Sequence, residues 1–182
     1  MPEFNRLLEN EIPRLRRYAR ALTRDGTRAD DLVQDTLVRG IAKAHLWRQG
    51  TDLRSWLFTI MHNQYVNNVR RAHREQATVD VDQVAGTVVA TTDPTASRQL
   101  SELDHAMGHL SKGQREVVLL VGLEGMSYVE AAKILRVPIG TIRSRLARAR
   151  QALRLLMGID EETESRGKAG PRSPALDRGI AA

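Results

Sequence analysis

Arginine side chains are concentrated in one stretch near the C-terminal end of the sequence. No acidic residue occurs from Pro138 to Gly158, and the stretch holds five arginines and two small hydroxyl residues: Arg143, Arg145, Arg148, Arg150, Arg154, Thr141 and Ser144. At 100° per residue, one helix face holds Thr141, Ser144, Arg145 and Arg148, with Arg143 at its border. Guanidinium and hydroxyl donors of this kind bind phosphates and base edges in a DNA major groove. The stretch therefore favours nucleic acid as a ligand; the alternative is a solvated basic face on a structural helix.

The residues before this basic stretch have the pattern of a helix-turn-helix. Ser127 and Glu130 have the spacing of a capping box, in which each side chain satisfies a free amide at the helix start. The turn falls at Arg136, and Pro138 stands where a first-turn proline is tolerated. Apolar residues then recur at helical spacing: Ile139, Ile142, Leu146, Ala149 and Leu153. We therefore predict two helices, over 127–135 and 138–157, in an arrangement used by many DNA-binding domains.

The N-terminal part also shows helical periodicity. One apolar stripe is formed by Phe4, Leu8, Ile12, Leu15, Ala19 and Leu22. Because Pro13 cannot donate to the carbonyl of Glu9, we predict a short helix that ends near Asn10 and a second helix from Ile12 to Thr23.

Two further helices are predicted before residue 75. The first covers residues 28–44, with an inward face of Leu32, Thr36, Leu37 and Ile41 and a separate polar face of Asp31, Asp35 and Arg39. A loop over residues 46–51 is indicated by Gly50. Asp52 then has the residue type of an N-cap for a helix over 52–74, in which we expect Trp56 to belong to the core.

Composition limits the class of protein. The 182 residues are 41% hydrophobic but only 4% aromatic, so any core must be aliphatic. Because the chain has no cysteine, disulfides, thiolate nucleophiles and cysteine-based metal sites are excluded. The longest aliphatic run, Val117 to Val121, is far below the roughly 20 residues that cross a bilayer, and the N-terminus lacks an apolar export signal. We expect a soluble protein that is neither exported nor inserted into a membrane.

The basic excess lies in two blocks. Residues 1–75 hold 14 basic and nine acidic residues, residues 101–157 hold nine and five, and the stretch between them is acidic. Residues 76–97 have no helical stripe and are rich in Thr, Asp and small residues. We therefore predict an all-α fold of two small helical domains, 1–75 and 98–157, joined by a flexible linker over 76–97 and followed by a disordered tail over 158–182.

The sequence carries no motif typical of an enzyme. His105 and His109 have the spacing of metal ligands on one helix face, but no glutamate follows His105 as in a HExxH motif and no third ligand is evident. A phosphate-binding GxxxxGK loop and a nucleophile motif are also missing from the sequence. We predict a protein without catalytic activity, metal or cofactor.

Four segments, in this order, resemble the extracytoplasmic-function (ECF) group of bacterial sigma factors, the smallest initiation subunits of RNA polymerase. They are residues 28–36 (RADDLVQDT), 53–60 (LRSWLFTI), 110–117 (LSKGQREV) and 137–146 (VPIGTIRSRL), and the resemblance spans Pro13 to Leu155. It implies an alternative sigma factor of the cytoplasm that binds core RNA polymerase and directs initiation at promoter DNA. It also implies control by an anti-sigma factor in response to a stress signal.

The resemblance assigns roles in the first domain. The helix that binds core polymerase falls on Asp30, Asp31, Gln34, Asp35 and Arg39. Recognition and melting of the −10 element falls on a loop that accepts a flipped base, on two amides and on three arginines of the following helix: Trp47, Arg48, Gln49, Gly50, Thr51, Asp52, Asn63, Asn67, Arg70, Arg71 and Arg74.

In the second domain the resemblance implies recognition of the −35 element as duplex. Base edges are assigned to Arg143, Ser144 and Arg148, and phosphates to Thr141 and Arg145. Arg136 stands where relatives often have glycine, and Ala147 stands where they can carry a bulkier contact. These departures bear on sequence preference rather than on docking.

Promoter geometry constrains the linker. Elements one and a half B-DNA turns apart are separated by ~50 Å, from ~34 Å per turn. Residues 76–97 would span about 26 Å as a flexible coil but about 70 Å when extended. The linker must therefore be drawn out on the promoter, and we hypothesise that Asp80 and Asp82 help to hold it in a channel of the polymerase.

Two other functions remain as alternatives. A stand-alone helix-turn-helix regulator would bind its site tightly without polymerase. A sigma-like decoy that sequesters an anti-sigma protein would be expected to have a degraded DNA-binding helix, whereas Arg143, Ser144 and Arg148 are present here.

Overall fold

The computed structural model describes residues 2–76 and 94–159, and all regular secondary structure in these two ranges is helical. The N-terminal module consists of α1 (Pro2–Thr23), α2 (Gly26–Ala42) and α3 (Leu53–Gln76), with a 3₁₀ turn at Ala44–Leu46. The C-terminal module consists of α4 (Pro94–His109), α5 (Lys112–Val117), a π-helical turn (Val118–Leu123), α6 (Tyr128–Leu135) and α7 (Ile139–Leu156). The predicted all-α fold class is confirmed.

Helix α1 passes through Pro13 without a break, so the predicted division into two helices is wrong. Pro13 is exposed and removes only one backbone donor, while Leu15, Tyr18 and Ala19 beyond it are completely buried. Burial of that continuous apolar stripe outweighs the lost hydrogen bond.

The N-terminal module packs α1 on α2 and α2 on α3 around a small apolar core. The rings of Tyr18 and Phe58 meet at 5.0 Å in an edge arrangement, and Leu57 and Met61 are fully buried beside them. In α2 the predicted inward face is correct for Leu32 and Thr36, and Leu37 is half-buried. Ile41 was predicted to face inward but is 56% exposed, because it lies in the last turn of α2 and lines a surface groove between α1 and α2 rather than the core.

The C-terminal module contains the predicted helix-turn-helix in α6 and α7. The Ser127 hydroxyl accepts from the Glu130 amide at 3.2 Å and the Glu130 carboxylate accepts from the Ser127 amide at 2.7 Å, which confirms the capping box. A second capping box joins Ser111 and Gln114 at the start of α5, which begins at Lys112. In α7 a buried face is formed by Ile142, Leu146 and Ala149, with Leu153 half-buried.

Two predictions at the edges of this module differ from the structure. Ile139 was expected in the core but is 36% exposed, as the first residue of α7, one turn before the buried Ile142. Helix α4 starts at Pro94, inside the predicted linker, so the connector between α3 and α4 is residues 77–93. That connector, with Asp80 and Asp82, and the tail 160–182 lie outside the described residues.

The two modules are in contact. Helix α6 packs against α3, and the π-helical turn packs against α1. The buried apolar residues of both modules consequently form one cluster, from Phe4 to Ala149.

Arg136 has a left-handed backbone conformation, with φ 54° and ψ 46°, at the C-cap of α6. This conformation strains a residue with a Cβ and is free of strain for glycine. We predict that Arg136→Gly raises the free energy of unfolding by up to about 1 kcal/mol in urea denaturation. Arg150→Gly, at an exposed position inside α7, should lower it by about 1 kcal/mol. A loss of stability in Arg136→Gly would contradict the assignment of strain to this turn.

Candidate nucleic-acid interface

Helix α7 presents the predicted −35 residues on the side opposite its buried face. Arg143, Ser144 and Arg148 are exposed, and Thr141 is half-buried. The Ser144 hydroxyl donates to the Thr141 carbonyl at 3.1 Å, a bond within the helix that it can exchange for a ligand. Because the opposite face is anchored in the core, these side chains project from a rigid support.

Arg145 differs from its neighbours because it folds back onto α5. It is half-buried, and its guanidinium lies so close to Gly113 that a Cβ there would come within 2.9 Å of it. Its charge also acts on buried Glu116, partly opposing the rise in pKa that burial causes in that carboxyl. The side chain thus contributes to packing within the module, and its contact with a phosphate stays a prediction.

Helix α3 carries the predicted amides and arginines of the −10 surface along one stripe. Asn63, Asn67, Arg70 and Arg74 follow each other at spacings of three and four, and Arg71 lies at the side of the stripe. All are exposed except Asn63, which is half-buried. The structure therefore brings these five residues onto one accessible cationic face.

The loop before α3 is held by α1. The Trp47 ring lies 5.7 Å from the Phe4 ring, and its indole Nε1 is buried without a hydrogen-bond partner among the described residues. The Gln49 amide donates to the Glu3 carboxylate at 2.7 Å. Trp47 thus packs between α1 and the loop, and its role in accepting a base stays a prediction.

The remaining loop residues shape the start of α3. Gly50 has φ +85°, a left-handed conformation that suits glycine. The Thr51 amide and hydroxyl both donate to the Arg48 carbonyl, at 3.1 and 2.6 Å. The Asp52 carboxylate accepts from the Arg54 amide at 3.0 Å and from the Ser55 hydroxyl, so Asp52 acts as the predicted cap of α3. The Arg48 side chain is exposed, and its contact with DNA stays a prediction.

The predicted polymerase-binding residues all lie on the exposed side of α2. Asp30 and Gln34 border a groove of about 550 Å³ that also involves Arg16 and Arg20 of α1. Asp31, Asp35 and Arg39 are exposed on the same helix. Sequence periodicity missed the apolar part of this groove, where Val38 and Ile41 are 60% and 56% exposed. Exposed apolar side chains beside carboxylates are typical of a protein-binding surface.

A buried polar pair between α3 and α5 was also missed. His62 Nδ1 lies 3.9 Å from Glu116 Oε1, and both residues are buried. Burial, with added repulsion from Lys112 and Arg136, lowers the pKa of His62 to about 4. Burial raises the pKa of Glu116, against the opposing charges of Lys112, Arg145 and Arg115. His62 is therefore neutral near pH 7.

Metal binding and membrane crossing can be assessed for the described part of the chain. Residues 2–76 and 94–159 contain no group of three or more metal-ligating side chains. The His105 and His109 rings lie 4.8 Å apart on exposed α4 positions. Within the same ranges, every helix is too short or too polar to cross a bilayer.

The fold and these surfaces define a helical protein with a C-terminal helix-turn-helix and a second cationic helix face. Residues 8–62 match a family model described as the Sigma2 domain of PhyR, and residues 100–153 match Sigma-70, region 4. The chain thus combines two regions of RNA polymerase sigma factors in the order that the sequence predicted.

Comparison with individual proteins shows which group of sigma factors the chain belongs to. The ECF RNA polymerase sigma factor EcfG of Rhodopseudomonas palustris (strain TIE-1) is 39% identical over 149 residues, which cover 82% of each chain. The sigma factor RpoE of Bartonella quintana, solved in complex with the anti-sigma factor NepR, is 36% identical with a TM-score of 0.80, covering 88% of this chain and 100% of that chain. CnrH, solved with the cytosolic domain of CnrY, is 28% identical with a TM-score of 0.62, covering 87% and 89%. This chain belongs to the ECF sigma factors of RNA polymerase.

The lowered pKa of His62 predicts how the interface between α3 and α5 responds to acid. Because the folded-state pKa lies below the unfolded value of 6.5, this histidine's contribution to stability is complete above about pH 6.5 and is lost as the pH falls towards 4. Histidine NMR titration of the chain should show one resonance, absent in His62→Gln, with a midpoint near 4. A midpoint near 6.5 for that resonance would show that His62 is not buried as described.

Proposed function

We propose that this chain is an alternative sigma factor that recruits core RNA polymerase to promoters with −10 and −35 elements. The observation that carries the proposal is the presence, in one chain, of both sigma regions with an exposed cationic face on each. Membership in the ECF family supports it independently. The chain works with the polymerase in the cytoplasm, and the chemistry of RNA synthesis belongs to the polymerase.

Core polymerase binds the exposed side of α2 in this proposal. The carboxylates of Asp30, Asp31 and Asp35 meet a basic helical surface, with Gln34 and Arg39 at the same interface. Val38 and Ile41 add an apolar centre to the groove, which charged side chains alone would not provide.

Promoter contacts divide between the two modules. On α3, the stripe from Asn63 to Arg74 holds the backbone and bases of the melted −10 strand next to the loop 47–52. On α7, Arg143, Ser144 and Arg148 enter the major groove of the −35 element as a rigid recognition helix. Thr141 and Arg145 serve adjacent phosphates.

An anti-sigma factor completes the proposal. The relative from Bartonella quintana was solved in complex with the anti-sigma factor NepR, and this chain covers all of that sigma factor's length at 36% identity. We infer a partner of the same kind for this chain, which would release it in response to stress.

The two alternative functions, a stand-alone regulator and a decoy, would require different surfaces. A stand-alone regulator has no use for a second cationic face on α3 or for an acidic and apolar face on α2. A decoy does not require an intact recognition helix, whereas α7 keeps its exposed arginines.

Run-off transcription tests the proposed function directly. Purified core polymerase, with and without the chain, is supplied with a library of promoter fragments. We expect defined transcripts only with the chain, and their loss in Asp31→Lys/Asp35→Lys, which reverses the charge of the α2 face while leaving the core intact. Glu102→Lys, an exposed acidic residue of α4, is the matched control and should retain activity. Footprinting of a compact site without polymerase, and no transcript with it, would favour the stand-alone regulator.

The −35 assignment predicts two kinds of loss on α7. Arg148→Ala should weaken promoter binding by the holoenzyme by about 1–3 kcal/mol and relax preference at one base pair, because a bidentate base contact is removed. Arg150→Ala, an exposed arginine of the same helix outside the predicted set, should have a small and sequence-independent effect. The measurement is competition binding against single-base promoter variants. Equal losses in both variants, without a change in base preference, would contradict the assignment.

A further inference from the structure

Arg145 differs from the other arginines of the recognition helix in where its side chain lies. Arg143, Arg148 and Arg150 are exposed, whereas Arg145 is half-buried and its guanidinium contacts α5. An exposed arginine samples many rotamers, and fixing one of them on a ligand costs conformational entropy. A side chain that its own module already holds in one position avoids much of that cost.

Gly113 provides the surface on which this guanidinium rests. It lies in the first turn of α5, and a Cβ added there would be 2.9 Å from both Cζ and Nη1 of Arg145 and 3.1 Å from its Nε. Cβ contacts shorter than 3.0 Å essentially never occur in proteins, so the guanidinium occupies space that any other residue would fill. The observed position of the Arg145 side chain therefore requires glycine at residue 113.

Buried Glu116 draws the guanidinium towards the same part of α5. It follows Gly113 by three residues, which places both on one face of the helix. Glu116 is only 5% exposed. Burial raises the pKa of its carboxyl, and nearby positive charges oppose that rise, namely those of Lys112, Arg145 and Arg115. Attraction to this carboxylate and the space left by glycine thus act together on the Arg145 side chain.

The donors of the Arg145 guanidinium remain available to a ligand. An arginine carries five N–H donors. Within residues 2–76 and 94–159, no group accepts a hydrogen bond from Arg145, and each of its side-chain nitrogens reaches solvent. A cation that is held in place while its donors stay unpaired is suited to bind an anion through charge-assisted hydrogen bonds.

The position of Arg145 on α7 favours a DNA phosphate as that anion. Arg145 directly follows Ser144, so it is turned by about 100° around the helix axis from a residue that is proposed to contact base edges. A side chain at the edge of the DNA-facing surface meets the sugar-phosphate backbone at the side of the groove rather than the bases.

We propose that Gly113 is a positioning residue that, together with Glu116, holds the Arg145 guanidinium ready for a phosphate of the −35 element. This role rests on the proposed function, because the phosphate belongs to the −35 duplex. It also extends the DNA-binding machinery to α5, where neither residue belongs to the predicted −35 set. Because the guanidinium is held before DNA arrives, the contact forms with a smaller loss of side-chain freedom.

Gly113→Ala tests this role without changing any charge. The added Cβ displaces the guanidinium, which lies at the far end of a flexible side chain, so the backbone of α5 can stay in place. We expect the holoenzyme to bind every promoter variant roughly two- to tenfold more weakly, because the Arg145 side chain must be fixed on binding. The salt dependence of binding should stay the same, since the same phosphates are still neutralised. Urea denaturation should show no loss of stability, because alanine favours a helix more than glycine does.

Arg145→Gln provides the second variant, since it removes the phosphate contact itself. Competition binding at several salt concentrations should show weaker binding and a salt slope that is smaller by about 0.9, the value for one phosphate. Adding Gly113→Ala to Arg145→Gln should then have no further effect on affinity. This lack of additivity distinguishes a residue that acts through Arg145 from one that merely supports α5.

Gly122→Ala is the matched control, because it makes the same substitution in the same module. At that exposed position the nearest atom to an added Cβ is Val118 Cγ1, at an ordinary contact distance of 3.9 Å. Promoter affinity should be unchanged. Equal affinities for the unsubstituted chain and Gly113→Ala would overturn the positioning role, as would the same loss from Gly113→Ala with and without the Arg145 guanidinium.

Failure of this role and failure of the proposed function are distinguishable. Initiation is read by run-off transcription with the unsubstituted chain, whereas positioning is read by the affinity and salt slope of the variants. A chain that initiates transcription but binds promoters equally well after Gly113→Ala overturns the positioning role alone. A chain that gives no transcript with any promoter fragment overturns the sigma function, and with it the −35 phosphate as the ligand of Arg145.

Discussion

Aliphatic packing along one side of each helix is the constraint on which this structure depends. With few aromatic residues available, the core is built mainly from leucine, isoleucine, valine, alanine and methionine at helical spacing. Each helix therefore buries one face and leaves the opposite face exposed. On α7 the buried Ile142 and Leu146 oppose exposed Arg143 and Arg148, so the rigidity of the recognition helix comes from the residues behind it.

The contact between the modules differs because it also contains buried charged residues. Beside the apolar cluster that the two modules share lies the buried carboxylate of Glu124, with guanidinium groups from α1 and α3 around it. Charged pairs of this kind specify one arrangement while contributing little net stability, because desolvation cancels much of the attraction.

Sequence periodicity predicted most of the fold and the exposed basic face of α7, because both depend on residues close together in the chain, whereas the α3 surface was assigned by resemblance to the family. The α6 capping box and the buried face of α7 were predicted for this reason. Periodicity assigns a face but not the neighbour that covers it, so Ile41 and Ile139, at the ends of their helices, were wrongly placed inside. The predicted break at Pro13 was wrong because burial of the apolar stripe along α1 stabilises the helix more than the hydrogen bond that proline removes.

Polar contacts between residues far apart in the chain could not be predicted from the sequence. Glu124 follows an apolar run and stands 107 positions from Arg17, so no spacing rule joins them. The same holds for His62 and Glu116, which meet only when α3 and α5 pack together. A charged residue directly after an apolar run, as in VVLLVGLEG at 117–125, is the single local sign that such a contact exists.

The proposed function requires the two modules of one chain to contact two separate elements of the same promoter. An iron chelate that cleaves nearby DNA, tethered to Asn67→Cys in one holoenzyme and to Ala147→Cys in another, measures this directly because the chain has no other cysteine. We predict two cleavage centres on one template, near −10 for the first holoenzyme and near −35 for the second, ~50 Å apart along the helix axis. Cleavage by both chelates at a single compact site would contradict it.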